Sequence, residues 1–397
     1  MAYMTMTSRL EYLIQKKKEY LKTKNKEEKS ALLHEICSTT GFHRKHAIRV
    51  LSAKHDVRAH LTKQRKKRGS PYTNEVRYYL KKIWDILDCP CGQRLAPVLT
   101  PTIEALERHR ELMIPTDVKE KLIHISSATI DRILQIFKRQ KRRRLHGTTK
   151  PGSLLKKQIP IQLSRYNVQE LGHGEMDLVA HNGGNPEGEF AHTLVETDLS
   201  SGWVEQEAFL GKAQRRVKQS LIRIDKRRPF QRKSIDSDSG GEFINWLLYK
   251  WCVEEKILFT RGRPGKKNDN PHVEQKNWTH VRKLVGYHRY ETKKQIDLLH
   301  DLYRNEWRLY ENFFQPTVKL IEKKRIGGRV KKKYEKAKTP YERIMASKEV
   351  GTKTKAGLEK QYESLNPAEL KRQIEKKLNI LFRTIHKGRK KIKRLSR

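Results

Sequence analysis

The pattern of apolar positions divides the chain into a helical first part and a mixed second part. Up to about position 145, apolar residues recur every three or four positions, which is the spacing of one buried face of an α-helix. From about position 171, short strand-like runs are separated by Gly, Asn, Pro and Ser, and helical spacing then alternates with further short runs. We therefore predict a multidomain protein with an all-α N-terminal part, a central α/β part and a basic C-terminal tail.

Two helices joined by a short turn are predicted between positions 29 and 54. The apolar face of the first helix ends before Gly41, and the face of the second includes Val50. The second helix also carries Arg44 and Arg49, so the outline is that of a helix-turn-helix whose second helix is basic. We expect both arginines to contact DNA.

A second pair of short helices is predicted near the end of the helical part. Val118 begins a short apolar stretch, Ser126 and Ser127 supply an N-cap, and the helix that follows carries Arg132. This outline is again that of a helix-turn-helix with Arg132 toward DNA, although an ordinary helical hairpin has the same periodicity. Earlier in this helical block, prolines at positions 90, 97, 101 and 115 are expected to interrupt the helices.

Three strands followed by alternating helices and strands are predicted in the central part. The strands cover about 171–180, 190–198 and 203–209, with turn-rich segments between them, so they form an antiparallel meander. A helix, a strand at 232–236, a helix, a strand at 257–260 and two more helices follow. This is the element order of an RNase H-like α/β sheet, in which the first and fourth strands lie side by side.

Composition sets the boundaries between these parts. Positions 141–160 contain many Lys and Arg residues, several Gly and Pro residues and no acidic residue, which is typical of a linker. Beyond position 315 the chain is Lys-rich and is expected to bind DNA without recognising its sequence. The predicted domains are a first helix-turn-helix unit, a second helical unit, a basic linker, an RNase H-like catalytic core and a basic tail, at 1–62, 63–145, 146–164, 165–315 and 316–397.

The net charge points to a polyanionic partner. The chain has 88 Lys and Arg residues against 45 Asp and Glu residues, a formal net charge of +43. Because so large an excess repels itself in a compact fold, we expect DNA or RNA to neutralise it. Together with the two helix-turn-helix outlines, the charge favours double-stranded DNA. No apolar run approaches the roughly 18 residues of a membrane span and no signal-peptide pattern is present, so we expect a cytoplasmic protein associated with a bacterial nucleoid.

The four cysteines indicate neither a disulfide framework nor a zinc site. A single proline separates Cys89 from Cys91, and Cys37 lies among histidines without the paired spacing of a structural zinc site. We therefore expect a reducing environment and no zinc.

Three carboxylates fall where the predicted elements can bring them together. Asp177 lies in the first strand, Asp238 follows the fourth, and Glu274 lies in a later helix, with 35 residues between the last two. Phosphodiester chemistry commonly uses two divalent ions about 3.5–4 Å apart on carboxylate oxygens, so we expect two Mg²⁺ ions, with Mn²⁺ able to substitute. Asp236 shares the face of Asp238 if the strand continues, and periodicity leaves it as an alternative ligand. Glu175 shares the strand face of Asp177 and is a candidate for a supporting role.

Five motifs lie around these acids. They read Gly-Glu-Met-Asp at 174–177, Thr-Asp-x3-Gly-Trp at 197–203, Asp-Ser-Gly-Gly-Glu-Phe at 238–243, Phe-Thr-Arg-x-Arg-Pro at 259–264 and Asn-Asp-Asn-x2-Val-Glu-Gln-Lys-Asn at 268–277. Together they resemble the catalytic core of retroviral integrases and of bacterial insertion-sequence transposases of the DDE type. The helical units ahead of the core are similar to the transposase arrangement, and no match to the retroviral zinc-binding domain is present.

The resemblance implies a specific activity and a specific set of ligands. Asp177, Asp238 and Glu274 would be the metal ligands of a DNA transposase. Such an enzyme binds the ends of its element, frees the 3′ hydroxyl at each end and joins it to target DNA. Ser239 stands where the family commonly has Asn, at a position that is not a ligand.

Basic residues near Glu274 are expected to hold DNA close to the scissile bond. They lie in a Gly- and Pro-interrupted stretch ahead of the helix and on the helix itself, and they are Arg261, Arg263, Lys266, Lys267, Lys276, Arg282 and Lys283. A solvated basic face is the alternative interpretation of this set.

Two other functions remain open at this stage. One is an RNase H-like, structure-specific nuclease, which would cut DNA without joining it. The other is a non-catalytic DNA-binding protein derived from a transposase. Because a transposase must hold two DNA ends together, we expect a homodimer or a larger assembly on DNA.

Overall fold

Two separately packed units make up the chain, Met1–Pro71 and Tyr72–Arg397. The computed structural model describes residues 4–52, 71–138, 168, 170–238, 240–262, 271–326 and 329–395. None of the helices in these ranges is both long and apolar enough to cross a membrane.

In its described residues, the first unit has three helices around a small apolar core. They are α1 (Met6–Lys22), α2 (Lys26–Thr40) and α3 (Arg44–Leu51). Gly41 ends α2 in the left-handed region at φ 70°, a conformation that glycine adopts without steric cost. Leu13, Ile36 and Val50 bring one residue from each helix into the core. The helices expected on either side of Gly41 are therefore present, and their binding to DNA stays a prediction.

Four helices begin the described part of the second unit. They are α4 (Asn74–Ile86), α5 (Gly92–Arg108), α6 (Thr116–Ile123) and α7 (Ser127–Lys138). The Ser126 hydroxyl accepts a hydrogen bond from the Thr129 N–H at 3.3 Å, which is the expected N-cap of α7.

The predicted helix interruptions at Pro97 and Pro101 are wrong, because α5 continues through both. Its buried face includes Leu95, Leu99 and Ile103. The burial of such a face stabilises the helix enough to offset the backbone hydrogen bonds that the two prolines cannot donate.

A five-stranded mixed sheet is the centre of the second unit. Its strands are β1 (His173–Ala180), β2 (Ala191–Asp198), β3 (Val204–Leu210), β4 (Ser234–Ser237) and β5 (Leu258–Arg261). The spatial order is β3-β2-β1-β4-β5, with β2 antiparallel to β1 and β3 and with β4 parallel to β1 and β5. The predicted contact between the first and fourth strands is confirmed, and this is the strand order expected of an RNase H-like sheet.

Helices cover both faces of this sheet. The helices that follow β3 are α8 (Gln214–Asp225), α9 (Trp246–Glu254), α10 (Pro271–Lys276), a π-helical segment (Asn277–Arg282), α11 (Lys283–Val285), α12 (Lys293–Arg304) and α13 (Glu306–Phe314). Met176 of β1 packs with Leu221 of α8 and Leu248 of α9 on one face. Val179 shares the core of the other face with residues of α4–α7, α12 and α13. Because side chains alternate along a strand, Glu175 and Asp177 lie on the face opposite Met176.

The C-terminal region packs into the same unit. It contains a hairpin of β6 (Leu320–Ile326) and β7 (Arg329–Tyr334), followed by α14 (Pro340–Ala346), α15 (Thr352–Ser364) and α16 (Pro367–Leu395). Tyr341 of α14 stacks with both Phe313 and Tyr362, with ring centroids 5.1 and 4.8 Å away. Ile374 and Leu381 of α16 are buried in the shared core.

Buried ion pairs satisfy the carboxylates of the edge strand β3. Glu207 accepts two hydrogen bonds from Arg304, at 2.9 and 2.8 Å, and also pairs with Arg227. Glu205 accepts from Arg308 at 2.7 Å and from Arg227 at 2.5 Å. Two charges removed from water are stable there only if each has a partner, so these arginines allow β3 to carry glutamates inside the protein.

Replacing Glu207 with Gln should lower the free energy of unfolding by about 3–5 kcal/mol, because it removes the buried carboxylate of this ion-pair group. Arg304 then loses its carboxylate partner and Arg227 keeps only Glu205. Urea titration of both proteins measures the difference. The control is Glu189→Gln, which removes an exposed carboxylate 3.1 Å from Arg216 and should cost less than about 1 kcal/mol. Equal losses in the two variants would contradict the role given to Glu207.

Glu207 should also make stability depend on pH in the acid range. Burial alone would raise its pKa, but the hydrogen bond from Arg304 and the charge of Arg227 outweigh burial and lower the pKa from 4.5 to about 2. The stabilisation is therefore complete above about pH 4.5 and is lost as the pH falls toward about 2. Thermal melting between these pH values should show a smaller acid-induced decrease for Glu207→Gln than for the wild type.

Candidate active site

The register of the two central strands brings Asp177 and Asp238 to neighbouring positions. In the parallel pairing of β1 with β4, Glu175 lies opposite Asp236 and Met176 lies opposite Ser237. The residue that follows Met176 is Asp177, and the residue that follows Ser237 is Asp238. Because neighbouring strands lie about 4.8 Å apart, this register brings the two aspartates to adjacent positions. Asp238 directly follows the last residue of β4.

A hydrogen bond joins Asp177 to the helix that carries Glu274. We call the continuous stretch 271–285, made of α10, the π-helical segment and α11, the Glu274 helix. The side-chain amide of Asn277 donates to Asp177 Oδ2 at 2.6 Å, and the backbone N–H of Leu178 donates to Oδ1 at 2.7 Å. Glu274 precedes Asn277 by one turn, so its backbone position is close to the strand that carries Asp177. The Glu274 side chain lies outside the described residues.

Glu175 ties the beginning of the Glu274 helix to β1. Its Oε2 accepts hydrogen bonds from the backbone N–H groups of His272 and Val273, both at 3.0 Å, and the residue is 1% exposed. The first N–H groups of a helix have no partner within the helix, and the positive end of the helix dipole favours a carboxylate there. Strand periodicity indicated only that Glu175 shares the face of Asp177, and the capping contact is what the structure adds.

The carboxylate of Asp238 lies in a tight turn. Its Oδ1 accepts a hydrogen bond from the Gly240 N–H at 2.9 Å. The residue as a whole is exposed, but its carboxyl group has lost much of its surrounding water. This loss of water is the main cause that raises the pKa of Asp238, and the negative charge of Glu242 raises it further. The hydrogen bond from Gly240 and the charge of Lys212 act in the opposite direction. A Cβ at position 240 would lie 2.9 Å from Asp238 Oδ1 and 2.8 Å from Glu242 Cδ, so a larger residue there would require these carboxylates to shift.

Asp236, the alternative ligand, lies two residues before Asp238, within β4. It is buried and lies opposite Glu175 on β1 and Thr260 on β5. The register therefore places Asp236 beside the residue that caps the Glu274 helix, whereas Asp238 comes beside Asp177.

The donor atoms brought together here suit a hard divalent cation. Asp177 and Asp238 offer carboxylate oxygens from adjacent strands, and such oxygens are the ligands that Mg²⁺ and Mn²⁺ prefer. Among the described side chains, no group of three or more His, Cys, Asp or Glu residues could hold a metal ion, and Glu274 is outside that set. The pair of aspartates fits a magnesium site that needs a further ligand.

Two of the expected DNA-contacting cations have positions inside the fold. Arg261 ends β5 and is 6% exposed. Arg282 is half-buried, donates to the Ala180 carbonyl at 2.8 Å and lies 4.6 Å from the ring centroid of Tyr287. Loss of water lowers the pKa of Arg282. Its contacts give it a role in holding the Glu274 helix on β1, and a contact with DNA stays a prediction for both residues.

The other expected DNA contacts divide into exposed cations and residues outside the described ranges. Arg44, Arg49, Arg132 and Lys283 are exposed. Their partners are Ser30 for Arg44, His46 for Arg49, Thr129 for Arg132 and Asp88 for Lys283. Lys276 lines a cavity on another side of the Glu274 helix. Arg263, Lys266 and Lys267 lie outside the described residues.

A relative of the whole chain places it in a family. No protein-family model matches it. The "Uncharacterized protein y4rM" of Sinorhizobium fredii is 36% identical over 320 residues, which cover 80% of this chain and 89% of the relative. The chain belongs to the y4rM family. Because the name of that relative states no activity, membership of the y4rM family does not by itself supply a function.

Solved structures of viral integrases are similar to parts of the chain. The catalytic core domain of BIV integrase is 18% identical, with 43% of this chain and 91% of that chain covered and a TM-score of 0.29. The simian T-cell lymphotropic virus intasome in complex with PP2A regulatory subunit B56 gamma is 15% identical, with coverage of 50% and 64% and a TM-score of 0.30. The HTLV-2 integrase catalytic core domain in complex with magnesium is 14% identical, with coverage of 36% and 88% and a TM-score of 0.28. Values this low carry no argument about the activity of the y4rM family.

Replacing Glu175 with Ala should loosen the beginning of the Glu274 helix, because the His272 and Val273 N–H groups lose their acceptor. A lost cap costs about 0.5–2 kcal/mol, which corresponds to about twofold to roughly thirtyfold faster exchange of these two amides. Hydrogen exchange measured by mass spectrometry on peptides that contain them tests this.

The matched control is Glu170→Ala, which removes an exposed glutamate near the same end of β1. It should leave exchange in the Glu274 helix unchanged. Unaltered protection in Glu175→Ala would show that the cap does not hold the helix.

Proposed function

We propose that the chain is a DNA transposase that cleaves the 3′ ends of its element and joins them to target DNA. The observation that carries this proposal is the convergence of three segments on one point of the sheet. Asp177 on β1 and Asp238 after β4 come to neighbouring positions through the strand register, and the Asn277 amide binds the helix of Glu274 to Asp177. The motif resemblance requires one acidic residue from each of three such segments.

Two hydrogen bonds fix the carboxylate of Asp177. The Leu178 N–H donates to Oδ1 and the Asn277 side-chain amide donates to Oδ2, so each oxygen has its own donor and the orientation of the carboxylate is set. Glu175 acts one turn earlier by holding the beginning of the same helix.

Asp177, Asp238 and Glu274 would hold divalent magnesium, which supplies positive charge for the attacking and leaving oxygens of a phosphodiester. In the hydrolytic step, a water oxygen forms a bond to phosphorus as the bond to the 3′ oxygen breaks, and the 3′ oxygen leaves as a hydroxyl. In the joining step, that 3′ oxygen attacks a target phosphodiester and displaces another 3′ oxygen. One P–O bond forms and one breaks in each step, so joining needs no external energy source and no covalent enzyme intermediate.

The charge distribution is consistent with DNA as the substrate. The formal net charge of +43 supplies phosphate contacts well beyond the immediate site, and such contacts bind DNA without regard to sequence. Sequence recognition would come from the two helical pairs, α2 with α3 and α6 with α7, through exposed residues such as Arg49 and Arg132. Joining two element ends in one event requires at least two copies of the chain on DNA.

Asp177→Asn and Asp238→Asn should each lower cleavage and joining of labelled element-end DNA by at least about 10³-fold in the presence of Mg²⁺, because an amide is a poor ligand for a hard cation. Binding of the same DNA, measured by gel shift, should remain within about threefold of the wild type. The control is Asp236→Asn, which should retain most of the activity if its melting temperature is unchanged.

If Asp238→Asn retained cleavage and Asp236→Asn lost it, Asp236 rather than Asp238 would be the metal ligand. Wild-type cleavage without joining would indicate a nuclease. Binding with neither reaction would indicate a non-catalytic relative of transposases.

A further inference from the structure

A polar cavity of about 330 Å³ lies beside the Glu274 helix, within the second unit. Its walls come from the loop between α4 and α5, the turn between β2 and β3, the Glu274 helix and the segment between α13 and β6. Arg94 of α5, Lys276 of the Glu274 helix and Lys319 before β6 contribute cationic groups from three of these directions.

The carboxylates of this cavity already have partners. Asp88 pairs with both Lys283 and Lys371, and Glu311 lies 2.8 Å from His280 Nε2. Asp198 accepts hydrogen bonds from the backbone of Gly172 and from the backbone and hydroxyl of Ser201.

By contrast, the three cations form no ion pair with a carboxylate in the described part of the chain. Arg94 forms no ion pair with any residue that the structure describes. Lys276 Nζ is 3.5 Å from His280 Nε2, which is a long contact, and Lys319 Nζ donates to the Ser200 carbonyl at 2.5 Å. The cavity therefore has an excess of positive charge.

The surroundings of Lys276 and Lys319 disfavour their charged forms. Burial is the largest cause that lowers the pKa of Lys276 to about 8; Glu311 opposes it, while Arg94 and Arg343 lower the pKa further. Burial and Arg343 also lower the pKa of Lys319. Like charges confined in a space with little water repel one another, and a bound anion would relieve this repulsion.

The cavity and the candidate active site lie on different faces of one helix. His272, Gln275, Lys276 and Thr279 line the cavity, and their spacing of three to four residues places them on one face. Asn277 faces Asp177, and Glu274 lies one turn before Asn277.

We propose that this cavity is an anion site that binds a phosphate group through Arg94, Lys276 and Lys319. The planar guanidinium of Arg94 can donate two parallel hydrogen bonds to phosphate oxygens, and the lysines add compact positive charges. A bound phosphate fixes Lys276, two residues after Glu274, and so holds the helix from the side away from Asp177. The site itself does not depend on the proposed transposase activity; only DNA as the source of the phosphate does.

Equilibrium dialysis of the full-length protein with radiolabelled inorganic phosphate tests the site. We expect saturable binding that is at least about fivefold weaker in Lys276→Gln and in Arg94→Gln, because each loses one charge-assisted contact. Lys276→Arg should recover much of the affinity. Melting temperatures identify any variant that fails to fold, and the Arg94 variant provides a second test if the Lys276 variant does.

The matched control is Lys250→Gln, which removes an exposed lysine of α9. It should bind phosphate as the wild type does. Absence of saturable binding in the wild type, or equal binding in wild type, Lys276→Gln and Arg94→Gln, would overturn the proposal.

Competition with duplex DNA identifies the source of the phosphate. Displacement of labelled phosphate by a short duplex in the wild type assigns the site to a DNA phosphate. Phosphate that stays bound in the presence of saturating duplex assigns it to a free phosphate ligand, and both results support an anion site. Asp177→Asn should keep phosphate binding while losing cleavage, so a failure of the proposed activity can be distinguished from a failure of the anion site.

Discussion

The carboxylate of Glu175 on the first N–H groups of the Glu274 helix is the contact on which the candidate site depends. It joins a strand in the centre of the sheet to the beginning of a helix, where His272 lies 97 residues after Glu175. Asn277 then repeats the connection one turn further along by binding Asp177. Two fixed points define the position of a helix along a strand. The backbone of Glu274 lies between them, so the helix cannot slide along β1 without breaking one of these hydrogen bonds.

The same need to pair buried charge organises the rest of the second unit. Glu205 and Glu207 bring carboxylates into the protein on β3. Their partners are Arg227 just after α8, Arg304 of α12 and Arg308 of α13. These pairs attach helices on both sides of the edge strand to it. The cavity beside Lys276 is the opposite case, since its carboxylates already have partners and its cations are in excess. The proposed anion site rests on this excess of positive charge.

Much of the fold could be predicted from local patterns. Alternation along the strands and the turn residues between them predicted the meander, and the contact of the first strand with the fourth is confirmed. The interruptions expected at Pro97 and Pro101 were wrong, because proline acts locally while the buried face of α5 is stabilised by helices distant in the chain. Periodicity also left Asp236 and Asp238 equivalent. The parallel register of β1 with β4 separates them by placing Asp238 beside Asp177 and Asp236 beside Glu175.

The sequence by itself determined the order of the elements, the excess of positive charge and the motifs around Asp177, Asp238 and Glu274, because each of these is a property of neighbouring residues or of composition. Only the tertiary structure decided that Asp238, and not Asp236, lies beside Asp177, and which contacts hold the Glu274 helix on β1. It also decided that Arg282 packs against Ala180 and Tyr287 inside the fold while Lys276 lines a cavity. The physical reason is that a charge's partners are set by contacts between segments about a hundred residues apart, and local spacing carries no information about them.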